Sequence, residues 1–142
     1  MSGQVDPALA QDALAADRDA VVALWHACGL VRPWNEPGAD FARALAGPAS
    51  TVLVRRDAAT VVATAMVGHD DHRGWIYYLA VDPARRRTGL GRAMMLEAED
   101  WLRRAGAPKL QLMVREGNEA ALAFYAALGL ERQQVVTLGR FL

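Results

Sequence analysis

Arg86-Arg87-Thr88-Gly89-Leu90-Gly91-Arg92 places three arginines and two glycines within seven residues. That composition suits the holding of a phosphate or pyrophosphate. The run follows a β-rich stretch, Trp75 to Val81, and opens an amphipathic pattern that begins near Gly89. The first N–H groups of a helix have no intrahelical partner, and the helix dipole adds about half a positive charge there. Gly89 and Gly91 remove the β-carbons that would hold an anion away from those donors. Arg86, Arg87 and Arg92 contribute fixed charge. Most arginine runs are solvated loops. Paired glycines at a helix start argue against that here, since each costs roughly 1 kcal/mol in a helix interior.

The spacing excludes two common phosphate motifs. A Walker loop needs a Lys after its second glycine, and the sole lysine of the chain is Lys109. A Rossmann turn needs a third glycine where Met94 stands. Bulk properties exclude more. At 142 residues the chain has the length of one domain, here taken as 1–142, and can bury a core without staples. Formal net charge is zero, so no global field draws nucleic acid or an anionic membrane. Cys28 is the only cysteine, which rules out an internal disulfide and fits a reducing compartment. Three scattered histidines make no metal pattern. No signal peptide or spanning segment is legible, so a cytoplasmic location is expected.

The elements that must position the arginine–glycine run follow from periodicity and breakers. Residues 1–15 are Ala-rich and poorly patterned. Val21, Leu24, Trp25 and Cys28 fall on one helical face, which predicts a helix capped by Asp17 and ended by Gly29. A proline-rich loop, 32–38, leads to a short helix from Asp40 to Ala46, with Asp40 as its cap. Strands are predicted at 51–55, 60–67 and 75–81, joined by a turn at 57–59 and a polar loop at 68–74, giving an antiparallel meander. Leu90, Met94, Ala98, Trp101 and Leu102 share a face of the next helix, which Gly106 and Pro108 end. A strand at 109–115 returns parallel to 75–81 through that helix. Asn118 caps a last helix, 119–127, and one or two closing strands fill 130–138. The fold class is α/β with a mixed sheet.

The run Leu79-Ala-Val-Asp-Pro-Ala-Arg-Arg-Arg-Thr-Gly-Leu-Gly-Arg-Ala93 resembles the strand, turn and helix of the GNAT N-acetyltransferase superfamily, whose acetyl-CoA motif reads Arg/Gln-x-x-Gly-x-Gly/Ala. The element order is similar from about residue 17 onward. Leu24-Trp25, Arg32-Pro-Trp-Asn35, Asp71-His-Arg-Gly74, Tyr78-Leu-Ala-Val81 and Leu112-Met-Val-Arg-Glu-Gly-Asn118 look like the YpeA-like branch of small bacterial acetyltransferases. The resemblance implies a single-domain, mostly antiparallel sheet with flanking helices, in which two parallel strands splay apart around the acyl-CoA arm. It also implies a strand before the first helix. The matching segment, Val5 to Leu14, contains Pro7 and three alanines, so that strand is expected to be absent, distorted or replaced.

The implied reaction moves an acetyl group from acetyl-CoA to a primary amine of a protein or small molecule, by direct attack in a ternary complex. The resemblance carries the cofactor site onto Leu79, Ala80, Val81, Arg86, Arg87, Thr88, Gly89, Leu90, Gly91, Arg92, Asn118, Ala121 and Tyr125. Main-chain N–H groups at Leu79 and Val81 are the implied oxyanion donors. Tyr125 is the implied acid, since a phenol with a pKa near ~10 can protonate a departing thiolate. Packing alone would also explain an aromatic beside Leu122 on that helix face. Asn118 serves as cap and as partner of the pantetheine arm. The acceptor side draws on Trp34, Asn35, Asp70, Asp71, His72, Tyr78 and Glu116. The base stays open among Asp70, Asp71, His72, Glu116, Tyr77, Tyr78 and a water relay. Cys28 reads as a buried structural thiol. No pattern requires a homodimer, a state many relatives adopt. An acyl-CoA-binding sensor without transfer activity is the alternative function.

Overall fold

The computed structural model describes residues 9–142. The chain divides into two compact units, with the division in sequence between Leu112 and Met113.

The first unit is built on a five-stranded sheet in the order β1-β2-β3-β4-β5. Its strands are β1 (Gln11–Asp12), β2 (Ser50–Asp57), β3 (Thr60–His69), β4 (Gly74–Val81) and β5 (Leu110–Gln111). Neighbours pair antiparallel except β4 and β5, which are parallel. Three helices belong to this unit: α1 (Arg18–Ala27), α2 (Pro37–Ala46) and α3 (Leu90–Arg104). Val21, Leu24 and Trp25 of α1 and Phe41 and Ala44 of α2 share one cluster with Val52, Val54, Val61 and Ala80. The buried Met94, Met95, Ala98 and Leu102 of α3 lie outside that cluster. Consecutive residues of β2 and β3 are buried whatever their parity. The sheet therefore carries helices on both faces, and its central strands read as unbroken apolar runs. Gly74 is required by this packing: a β-carbon there would lie 2.5 Å from a Leu102 methyl.

The antiparallel meander stands as predicted. The family-type first strand is reduced to β1, two residues on β2; the earlier part of that segment, residues 1–8, lies outside the described residues. Asp17 stands at the start of α1 without capping it. Its carboxylate instead takes the Arg56 guanidinium at 2.8 and 2.6 Å, a stronger, charge-assisted pair. α2 begins three residues earlier than expected, because Pro37 supplies a ready-made first helical position. Asp40 is thus inside the helix rather than its cap. The strand expected at 109–115 is only Leu110–Gln111.

The second unit contains α4 (Glu119–Ala127), which has the predicted bounds and start. The Asn118 side chain accepts from the Ala121 N–H at 3.1 Å, and Gly129 follows with φ +89°. The closing strands expected within 130–138 do not form. β propensity describes fit to a pleated, half-buried surface, and among the described residues this segment has no ladder partner. Val135, Val136 and Leu138 are exposed.

Among the described residues no helix is long and apolar enough to cross a membrane.

Candidate active site

β4 and β5 pair only at Gly74↔Leu110 and Trp75↔Gln111. β4 then runs on through Val81 with no strand on that edge. The parallel pairing that the sequence resemblance implied is therefore present but short, because β5 itself ends at Gln111.

The opened edge carries usable donors. The Asp82 N–H bonds the Val62 carbonyl across to β3 at 2.8 Å. Successive N–H groups along a strand alternate between its two edges. Those of Val81 and Leu79 therefore point away from β3, toward the open side. Leu79 itself belongs to a bulge: Thr64 faces Ala80, but Met66 faces Tyr77, so Tyr78 and Leu79 share one partner position. Tyr78 takes φ +50° there. Such a left-handed bulky residue costs of order 1–3 kcal/mol and persists only when its surroundings over-determine it.

Those surroundings are specific. The Tyr78 ring stacks on the Trp25 indole, with centroids 3.8 Å apart and planes 8° from parallel. The Trp25 Nε1–H donates to Thr64 Oγ1 at 3.0 Å, and that hydroxyl donates to the Tyr78 carbonyl at 3.0 Å. Thr64 is fully buried, and both of its hydroxyl roles are filled. The Tyr78 hydroxyl donates to Asp40 Oδ2 at 2.8 Å. Burial first, then the Asp40 carboxylate, pushes the Tyr78 phenol well above its ordinary value. A phenol held protonated and already donating to a carboxylate is a poor general base at neutral pH. Cys28, predicted buried, is only half-buried; its thiol donates to the Val81 carbonyl at 3.2 Å.

The arginine–glycine turn follows Val81. Asp82 starts it by accepting from the Ala84 N–H, and Arg85 is tied to Asp57 at 2.6 Å. Arg85 is therefore a structural member of the run. Thr88 donates its hydroxyl to the Arg85 carbonyl, folding the turn. Arg87 and Gly89 both take left-handed backbone, φ +64° and +83°. Gly89 leads into α3 with no side-chain cap and no acidic residue in the first turn. The first helical pair there is Ala93 N–H to Gly89 carbonyl, so Leu90, Gly91 and Arg92 precede the N–H ladder. Arg86, Arg87 and Arg92 are exposed and, among the described residues, make no ion pair.

The acceptor-side candidates separate by role. Trp34 is 54% exposed, and the Asn35 N–H is held by the Arg32 carbonyl in the same loop. Asp70 closes its own hairpin: one carboxylate oxygen accepts from the N–H groups of His72 and Arg73 at 2.9 and 2.7 Å. Those bonds hold its pKa down, which makes it a weak base. Asp71 and His72 are exposed beside it. In the second unit, Tyr125 packs edge-on against Phe124, centroids 5.0 Å apart, and burial raises its phenol pKa. Ala121 is half-buried there, while Glu116 is exposed.

Sequence reasoning took Asp40 only for a helix cap and did not single out Thr64. Thr64 carried a signal. It is a hydroxyl inside Val61-Val62-Ala63-Thr64-Ala65, and a polar group buried on both faces must be hydrogen-bonded.

A mostly antiparallel sheet with one parallel pair, β4 and β5, joined through α3 is the architecture that the sequence resemblance implied. The chain belongs to the Acetyltransferase (GNAT) family, whose model matches residues 18–130. An acetyltransferase of Yersinia pestis (strain Pestoides F) is 40% identical over 124 residues, 87% of this chain and 88% of that protein. Among solved structures, a ribosomal-protein-alanine N-acetyltransferase from Escherichia coli is 27% identical with a TM-score of 0.69, covering 85% of this chain and 76% of that one. AAC(6')-Iy in complex with the bisubstrate analogue CoA-S-monomethyl-acetylneamine shares the fold at 13% identity, with a TM-score of 0.79 over 94% of this chain and 97% of that one. The protein is an N-acetyltransferase enzyme.

Proposed function

We propose that this enzyme uses acetyl-CoA to acetylate a primary amine, on a protein N-terminus, a lysine or a small molecule, by direct attack in a ternary complex. The observation that carries this reading is the juxtaposition along one chain segment of outward N–H groups on β4 and the uncapped start of α3. Acetyl-CoA fits that segment chemically: it pairs a thioester carbonyl, which needs donors, with a pyrophosphate, which needs an open helix start. When bound, it supplies an activated acyl group and a thiolate leaving group.

The residues of this chain do the rest. The N–H groups of Leu90, Gly91 and Arg92 bind the pyrophosphate, with Arg86, Arg87 and Thr88 alongside. Leu79 and Val81 donate their N–H groups to the negative charge that develops on the acyl oxygen, and Ala80 backs them from the core. Asn118 spends its oxygen on Ala121, which leaves its amide N–H groups for the pantetheine arm. Tyr125 gives its hydroxyl proton to the leaving sulfur and recovers one from solvent. Its raised pKa keeps that proton in place through neutral pH. Trp34, Asn35 and Tyr78 border the acceptor.

Calorimetry with acetyl-CoA, using ATP as control, tests the cofactor assignment. Selective micromolar binding is expected. Tight ATP binding without any response to acetyl-CoA would overturn it. Thiol release across a panel of amines then identifies the acceptor class.

A further inference from the structure

Four non-glycine residues among the described ones have positive φ: Ala58, Asp71, Tyr78 and Arg87. Ala58, Asp71 and Arg87 lie in turns. Tyr78 alone lies within a strand, and it is the bulkiest residue with that backbone next to the donors of β4. We propose that Trp25, Thr64 and Asp40 are positioning residues, forming a clamp that fixes the left-handed backbone of Tyr78 and so aims the Leu79 and Val81 N–H groups at the acyl carbonyl. The inference rests on the acetyl-CoA reading above.

The clamp acts on Tyr78 at three places. Trp25 lies flat on its ring. The same indole, through the Thr64 hydroxyl, reaches round to its carbonyl. Asp40 takes its hydroxyl and is itself held by Arg43 at 2.6 Å. Ring face, main-chain oxygen and phenol tip are thus fixed to α1, β3 and α2 respectively. Rotating the Tyr78 backbone out of the left-handed region would swing the ring off Trp25 and the carbonyl off Thr64 together. The elements that hold the tyrosine are core elements, so the bulge is as rigid as the core. Rigid donors are what charge stabilisation in a transition state requires.

The test compares variants of the full chain with bound acetyl-CoA carrying a ¹³C-labelled carbonyl. The readout is the infrared carbonyl stretch, which falls when the oxygen accepts hydrogen bonds. CoA, which lacks the acyl group, serves as the binding control. Wild type should lower the stretch relative to free acetyl-CoA. Tyr78→Ala and Thr64→Val should return it toward the free value while CoA affinity stays within about threefold, well below the tenfold that 1.4 kcal/mol represents. Tyr78→Gly should recover part of the wild-type shift, because glycine adopts the left-handed backbone without a clamp. A side chain that merely packs, or merely touches substrate, predicts the opposite order, with glycine no better than alanine. If Tyr78→Ala fails to fold, Thr64→Val and Tyr78→Phe carry the same comparison. An unmoved stretch in the variants, or glycine no better than alanine, overturns the clamp alone. A wild type that binds neither acetyl-CoA nor CoA overturns the acetyl-CoA reading, and the clamp with it.

Discussion

The helices α3 and α4 begin in opposite ways. α4 opens on Asn118, whose side chain turns back to accept from Ala121. Its first turn is closed by its own sequence. α3 opens on Gly89, which has no side chain to offer, and its first turn contains no acid. α1 is a third case: Asp17 stands at the right place for a cap but is drawn aside to Arg56. A helix start left open among arginines leaves its first N–H groups to solvent or to a bound group. The contrast is what the proposed function requires: Gly89 leaves the start of α3 open, as a pyrophosphate cradle would, while Asn118 closes the start of α4.

The comparison breaks most visibly at Gly89. Gly89→Glu puts a carboxylate and a strained backbone at the proposed pyrophosphate cradle. Acetyl-CoA affinity should fall by on the order of 1000-fold, ~4 kcal/mol, by calorimetry. Retained affinity would show that the α3 start is not the cradle. Next in size is Tyr125→Phe on the closed helix. It should lower kcat by roughly 10–1000-fold, the usual worth of general acid–base help. Acetyl-CoA affinity should barely change. If instead binding fails and turnover per bound complex persists, Tyr125 is a packing residue. Gly89→Asn sharpens the contrast. Asn tolerates left-handed backbone and can cap α3 as Asn118 caps α4. Melting temperature should hold or rise, while acetyl-CoA affinity drops about tenfold, 1.4 kcal/mol.

Much of this contrast was legible in the sequence, because helix starts are local. Gly89 and Asn118 mark helix starts by residue type, and α4 has the bounds its pattern implied. The meander was legible for the same reason, since Val- and Thr-rich runs alternate with turn residues. What escaped reading depends on partners distant in sequence. The β4 bulge exists only as a slip of register against β3. Asp40 was taken for a cap because nothing local reveals that Pro37 starts the helix and that Tyr78 waits 38 residues on. Asp17 was misread likewise, since Arg56 reaches it from β2. The segment 130–138 has strand-like residues, but a strand also needs an edge to pair with.

The closed start can be opened in turn. Asn118→Ala removes the cap of α4, a change that typically costs about 0.5–2 kcal/mol. Thermal unfolding should shift down. Hydrogen exchange should speed most at Ala121, whose N–H loses its acceptor. Uniform acceleration along α4 would mean that tertiary contacts, and not the cap, hold the helix.

The smallest effect is expected at α1, where the cap residue serves an ion pair instead. The Arg56 guanidinium, and then the Leu14 N–H, hold the Asp17 carboxyl below its ordinary range, against an opposing push from burial. A carboxylate with a depressed folded pKa contributes stability that is fully present above its unfolded value. That contribution is lost as pH falls through the folded one. The pair is partly solvated, with side chains 24% and 13% exposed, so screening keeps its net worth near that of a good surface bridge, about 1 kcal/mol. Asp17→Asn should therefore lower the melting temperature by a few degrees at pH 7, on the scale of roughly 2–4 °C per kcal/mol for a domain of this size. The difference from wild type should shrink steadily below pH 4. Acetyl-CoA affinity should stay unchanged, because neither partner lies at the α3 start. A gap that persists undiminished in acid would mean that Asp17 supports α1 by packing, and that the ion pair adds nothing to the fold.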